Sequence, residues 1–349
     1  QYMETDLQGT DGSQTVYVDN LGKVLQIDEE SQVEPKAGDD VYLTIDKDWQ
    51  ENIYHILEQR VAGILLSKID PSKTFDKTAV TDASQIRIPI YDVYNALVAN
   101  SVIDIDHFTE KDASETEKNL YAKFQQKQQE IFDKITQELT GDSPHVYKDL
   151  DEQMQEYVSY IADTLLTDKL EILLKNSIDR NDETYKAWED DKSISLQDYL
   201  TYAASQNWID ISKISPEGDY LDSKEVYLSL AEYITEYLKT DTEFGKLLYK
   251  YMLQEDTISG TELCTVLYDQ GVLDKDEDDM YASLVSGATS AYDFMINKIN
   301  NLEITPGQLA LDPCSASCVV TDVKTGEVLA CVTYPGYDNN RLANHMDQD

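Results

Sequence analysis

The sequence predicts an α+β chain: a small β-rich start and a β-hairpin near the end bracket a long, acidic, mainly helical middle. Three observations carry that reading. Residues 1–66 and 306–349 contain short apolar runs and alternations broken by tight-turn residues. Residues 67–305 instead repeat apolar residues at spacings of three and four, with Gly and Pro between the runs. Acidic residues dominate that middle, and the whole chain carries 68 Asp and Glu against 28 Lys and Arg.

The elements follow in order. "TVYV" (Thr15–Val18) and "KVLQI" (Lys23–Ile27) flank "DNLG", which predicts a hairpin with Gly22 supplying a positive φ. "DDVYLTID" (Asp39–Asp46) predicts a strand entered from the "PKAG" turn. Asp46 then caps a helix whose apolar face takes Trp49, Ile53, Ile56, Leu57, Arg60 and Ile64.

The middle predicts helices over Tyr91–Asn100, Ser114–Thr140, Leu150–Asn176, Leu196–Gln206, Ser223–Lys239, Glu243–Leu253, Gly260–Gln270 and Asp279–Asn301. Ser114, Ser195 and Ser223 are the expected caps. "TGDSPH" and "SPEGD" punctuate between helices, and the many tyrosines suit half-buried faces. No fixed repeat period marks a solenoid. Pro306 opens a short helix in "TPGQLALD". Finally "SCVVTD" and "EVLACV" flank "VKTG", a four-residue hairpin loop with Gly326 in the left-handed region. Pairing Asp322 with Glu327 would set Val320 opposite Leu329 and Cys318 opposite Cys331. Those two thiols would then share a face, either bridged or as a reduced pair.

Composition narrows the function classes. An apolar fraction of 41% and only 8 prolines mark a globular chain. The net charge of −40 repels phosphate backbones and anionic lipid, so no nucleic-acid partner is expected. The same charge reads either as a heavily solvated surface or as a docking face for basic partners or cations. Apolar runs such as Ala62–Leu66 are too short to span a bilayer. No signal peptide is visible, and the first residue is Gln1, not Met, so an upstream segment is expected. Cys264, Cys314, Cys318 and Cys331 do not make a disulfide-dense scaffold. They and His55, His107, His145 and His345 match no zinc spacing, so no metal ligand and no cofactor residue is named.

Two acidic stretches approach a calcium loop. "DKDEDDMYASLV" from Asp274 has Asp279 where Gly is needed and Val285 where Glu is needed. "DIDHFTEKDASE" from Asp104 ends on Glu115 but carries Phe108 and Thr109 in place of an oxygen ligand and Gly. Solvated acidic turns account for both.

Two separate blocks resemble one family. "VVTDVKTGEVLACVTYPGYDNN" is similar to the first hairpin of the transpeptidase domain of class B penicillin-binding proteins. "LQGTDG", the "DNLGKVL" hairpin and "PKAGDDVYLTIDKDWQ" look like the end of that family's pedestal, or dimerisation, domain. The family sets these blocks close together. The resemblance therefore implies a pedestal remnant at 1–66, a helical insertion at 67–305, and the truncated edge of a transpeptidase sheet at 306–349. It implies a membrane-anchored parent outside the cell that cross-links peptidoglycan stem peptides through a serine acyl-enzyme and is acylated by β-lactams. It says nothing of the insertion, for which a cell-wall or division protein is the expected partner. A non-enzymatic scaffold or docking module is the alternative.

Catalysis by this segment is not expected, and no catalytic residue is named. No serine is followed three residues later by lysine, so the nucleophile motif S-x-x-K is absent. "SQN" at Ser205–Asn207 and "KTG" at Lys324–Gly326 spell the family's other two motifs. One lies in the helical middle and the other at a hairpin tip, ahead of where the nucleophile should come. Both read as chance matches. The hairpin is then the start of a sheet whose catalytic remainder lies beyond Asp349.

Overall fold

The protein is described here by a computed structural model that covers residues 2–337 apart from 77, 79, 215–221 and 277. The "SPEGD" turn, His345 and the residues after Tyr337 lie outside the described residues. The fold is α+β and mainly helical. Its contacts divide it into two compact units. One combines the described residues of Gln1–Leu57 with those of Ala316–Asp349, and the other is Glu58–Ser315.

The discontinuous unit begins with α1 (Glu4–Leu7) and the antiparallel pair β1 (Ser13–Val18) and β2 (Val24–Val33). Asp19 shapes the turn: its carboxylate accepts the Leu21 and Lys23 amides at 2.8 and 3.0 Å. Gly22 takes φ +82°, as the turn requires. Helix α2 (Lys47–Leu66) follows, belonging to this unit as far as Leu57 and to the helical unit from Glu58, with the Asp46 carboxylate accepting the Trp49 amide at 3.1 Å.

Two expectations fail here. Residues 39–46 form no strand. They make isolated bonds instead of a ladder, as described below for Thr44 and Asp46. The predicted apolar stripe of α2 is also rotated. Trp49, Ile56 and Ile64 are each about half exposed, while Val61, Ala62 and Leu65 are buried. Counting from Trp49 placed a solvent-facing ring on the inner face, and Arg60 went with it.

The helical unit holds a short parallel pair, β3 (Ile69–Asp70) and β4 (Ile88–Pro89). Then come α3 (Ile90–Ala99), α4 (Glu115–Thr140) and α5 (Glu152–Ser159), which runs on into a π-helix at Tyr160–Lys169. After these stand α6 (Glu183–Glu189), α7 (Leu196–Ser205), α8 (Ser223–Leu238) and α9 (Thr242–Gln254). The last are α10 (Gly260–Asp269), α11 (Met280–Val285), α12 (Ala291–Asn300) and α13 (Pro306–Leu309).

Helix α4 is the axis of this unit and packs on α7, α8, α9 and α10. Its sequence explains both its start and its buried side. Ser114 and Glu117 form a reciprocal capping box. Leu120, Phe124, Ile131, Ile135 and Leu139 recur at helical spacing and are buried. Each such side chain contributes about 1.5–3 kcal/mol by leaving water. Helix α10 starts against α3 so closely that a Cβ on Gly260 would lie 2.5 Å from the Tyr94 ring.

Three predicted helices change. Leu150–Asn176 ends at Lys169, because the backbone turns into the left-handed region at Glu171, φ +50°. Asp279–Asn301 is two helices, separated where Gly287 takes φ +75° and Ser290 caps α12. The cap of α8 is Asp222, whose carboxylate accepts the Lys224 and Glu225 amides; Ser223 is the first helical residue. The caps at Ser114 and Ser195 and the proline start at Pro306 stand as expected.

The chain returns to the first unit with β5 (Ala316–Thr321) and β6 (Val328–Tyr334), an antiparallel hairpin. Asp322 and Glu327 do pair, the Asp322 amide donating to the Glu327 carbonyl at 2.9 Å. A bulge next to that pair then shifts the register: Thr321 faces Val328 but Val320 faces Ala330. Cys318 therefore lies opposite Val332, and Cys331 opposite Val319. A one-residue slip changes face, so the two thiols point to opposite sides and neither arrangement foreseen for them forms. All four cysteines are free thiols.

The open edge of β6 is covered from within the same unit. The Asp46 amide donates to the Leu329 carbonyl at 2.9 Å, and the Thr44 hydroxyl to the Val328 carbonyl at 2.6 Å. Gln50 bonds both backbone groups of Cys331, through Nε2 at 2.8 Å and Oε1 at 2.9 Å. Tyr54 sets its ring edgewise on Tyr334, with 5.3 Å between centroids.

Candidate functional site

The motif look-alikes have local backbone roles. Lys324 and Thr325 donate their amides to the Asp322 carboxylate at 2.7 and 2.9 Å, and Gly326 takes φ +78°. That is hairpin-turn geometry. Ser205 ends α7 with its hydroxyl donating to the Tyr202 carbonyl at 2.7 Å, and Asn207 turns the chain at φ +58°. Ser205 and Lys324 belong to different units.

The two acidic loops also have internal uses. Asp278 is bonded to Lys298, to the Tyr268 hydroxyl and to the Met280 amide. In the earlier loop, Asp104 accepts the Asp106 amide at 2.9 Å, and residues 106–109 form a single 3₁₀ turn. Of the histidines, His107 and His145 each bond a mainly buried carboxylate, Glu117 at 2.7 Å and Glu138 at 2.6 Å.

A cleft of about 470 Å³ lies in the helical unit between α3, the α5–π segment and α9. Asn95 comes from α3, Glu156 and Ser159 from α5, Tyr160, Asp163 and Thr164 from the π-helix, and Glu243, Lys246 and Lys250 from α9. The π-helix is what widens this wall. Its wider turn bonds five residues back, as the Leu170 amide does to the Leu165 carbonyl at 2.9 Å. A stretch this long is uncommon, and such segments concentrate where a helix must present side chains to a site.

The charges in the cleft are arranged in pairs. Lys250 donates to both oxygens of Glu156 at 2.6 Å, and Lys246 to Glu243 at 2.8 Å. The Tyr251 hydroxyl also donates to Glu156. Beneath the rim, buried Asp241 caps α9 and accepts from the Tyr160 hydroxyl at 3.0 Å and from Lys169 at 3.1 Å. Burial pushes the Tyr160 hydroxyl well above the usual phenol range, aided by the Asp241 charge. Tyr160 is thus a neutral donor at ordinary pH. Asp163 keeps solvent access, yet its carboxyl is pushed up, first by desolvation from the surrounding atoms and then by the Glu189 charge.

This chemistry suits binding. Paired Lys and Glu side chains on two helices can exchange partners with a segment carrying both charges. Nothing in the sequence flagged the cleft, because its lining comes from residues 95–250 and from a π-helix that has no distinct periodic signature at this length.

Protein-family models, curated proteins and solved structures were each compared with the chain, and none matches it.

Proposed function

We propose that this chain is a non-catalytic, partner-binding segment of a polypeptide similar to class B penicillin-binding proteins. In this reading, the unit made from both ends of the chain is the framework: the end of a pedestal domain together with the first hairpin of a transpeptidase domain. The helical unit is an insertion into that framework, and its charged cleft takes a cell-wall or division protein. The parent would be membrane-anchored, act outside the cell, and cross-link peptidoglycan stem peptides by D,D-transpeptidation through a serine acyl-enzyme.

One observation supports the reading most. The two blocks that carry the resemblance lie more than two hundred residues apart in the chain, yet Asp46 and Gln50 bond Leu329 and Cys331 directly. That contact supports reading the two blocks as parts of one framework interrupted by an insertion.

The test is intact mass after incubation with a penicillin. This chain is expected to gain no adduct, and a longer form that continues through an S-x-x-K motif is expected to gain one. An adduct on this chain would overturn its non-catalytic role. A longer form that stays unmodified would instead support a scaffold built on the same framework, with binding as its whole function.

A further inference from the structure

We propose that His107, Glu110 and Asp112 form a binding site for a divalent transition-metal cation, with Nε2 of His107 as its nitrogen ligand and Glu117 as the buried group that aims the ring. The site lies in the helical unit, in the turn and loop between α3 and α4, apart from the cleft described above.

Geometry comes first. One donor atom from each of His107, Glu110 and Asp112 lies within 4.8 Å of the others. Nε2 of His107 stands 3.8 Å from Oδ1 of Asp112. Ligands of one zinc-like ion, each at about 2.0–2.2 Å from it, lie roughly 3.3 Å apart. Closing the set therefore takes a shift of several tenths of an ångström or more, depending on the pair. Glu110 and Asp112 are exposed, so their side chains are free to make it.

The second observation concerns the other ring nitrogen. Nδ1 of His107 lies 2.7 Å from Oε1 of Glu117, a residue with no exposed surface. Glu117 is itself held by the Ser114 amide at 2.6 Å and by Nε2 of Gln270 at 2.8 Å. Gln270 is tied in turn to both backbone groups of Asp104, at 2.7 and 2.9 Å. A carboxylate can only accept, so Nδ1 carries a proton, and the metal takes the Nε2 position on the side of Asp112, displacing any proton held there. A carboxylate behind a histidine ring is the usual support of a metal-bound imidazole.

Donor chemistry selects the ion. One imidazole nitrogen and two carboxylates suit zinc, cobalt or nickel better than calcium or magnesium, which favour all-oxygen sets. Three protein ligands leave at least one position for water. The −40 net charge draws cations to the whole surface, so selectivity and not mere uptake is the sign of a built site.

The whole 349-residue chain is titrated with zinc chloride by calorimetry near neutral pH in millimolar magnesium, which occupies the generic acidic surface. The expected result is one saturable zinc site. His107→Gln and Asp112→Asn should each weaken it about tenfold or more, and Glu117→Gln, which keeps an acceptor for the cap, by about 10–100-fold. Asp168→Asn, remote in sequence and paired with Lys175, should leave it unchanged. In the unaltered chain, nitrogen NMR of the imidazole should show Nδ1–H before zinc and a shift of Nε2 on addition. No saturable site, a site that survives both His107→Gln and Asp112→Asn, or an unshifted Nε2 would overturn the proposal.

Discussion

The side-chain amide of Gln50 bonds both backbone groups of Cys331, donating to its carbonyl at 2.8 Å and accepting its N–H at 2.9 Å. A primary amide has the same donor and acceptor pair as a peptide unit. Gln50 therefore stands where the next strand's backbone would stand, and β6 needs no third strand at that point. Asp46 does the same one pleat earlier with its own N–H on Leu329. This explains why the "DDVYLTID" stretch has strand-like composition without being a strand. Its apolar residues Tyr42 and Leu43 stay exposed, while Thr44, Asp46 and the first turns of α2 engage the hairpin edge.

Lys298 should be the most sensitive charged residue of the helical unit. It is 2% exposed and bonded to Asp278 and, at 2.6 Å, to Glu303. Lys298→Ala leaves the partly buried Asp278 carboxylate without its cation and should cost about 1–3 kcal/mol. The pair also sets a pH dependence. Burial pushes Asp278 up, but Lys298, the Tyr268 hydroxyl and the Met280 amide outweigh it and hold the carboxyl below its ordinary 3.8. A lowered folded value means the stabilisation is complete above the unfolded value and is lost as pH falls through the folded one. Thermal melts from about pH 5 downward should therefore lose stability more gradually in Asp278→Asn than in the unaltered chain.

Gly260→Ala should destabilise the protein although it sits at the start of a helix. The added Cβ would meet the Tyr94 ring at 2.5 Å, and Tyr94 is buried at 4% exposure with no room to swing. Overpacking of this kind costs about 1–3 kcal/mol. It exceeds the gain in helix propensity, about 0.5–1 kcal/mol. Chemical denaturation measures the loss, and it should shrink when Tyr94→Leu is combined with it.

The cysteines should react in the order of their exposure. Cys331 is exposed, Cys314 and Cys318 are half-buried, and Cys264 is buried with its thiol pushed up by desolvation. A thiol reagent should modify Cys331 first and reach Cys264 only on unfolding. After mild oxidation, peptide mapping should show no link between Cys318 and Cys331, because the bulge puts them on opposite faces. A linked peptide would contradict the register.

Much of the fold was legible because helix starts are chemical events. Ser114, Ser195 and Asp46 each offer an oxygen to free amides, and Pro306 has no amide to satisfy. Helix ends and strand registers were not legible, since single residues decide them. Glu171 at positive φ stops the α5–π segment, and one extra residue in β6 turns a predicted cysteine pair inside out. Ser223 and Asp222 were indistinguishable as caps from composition alone. The cleft depends on a π-helix and on helices distant in sequence, and the His107–Glu117 contact crosses from a loop to a capping box. The "DASE" capping box could be read; its glutamate's second bond to His107 could not.

Hydrogen exchange after Gln50→Ala tests most directly whether the two ends of the chain form one folded unit. The expected result is faster exchange at the Cys331 amide and through β5 and β6, with peptides of α4 unchanged. Loss of two exposed hydrogen bonds should lower the local opening free energy by about 1–2 kcal/mol. Unchanged protection of residues 316–334, or an equal loss in α4, would contradict a framework closed by Gln50.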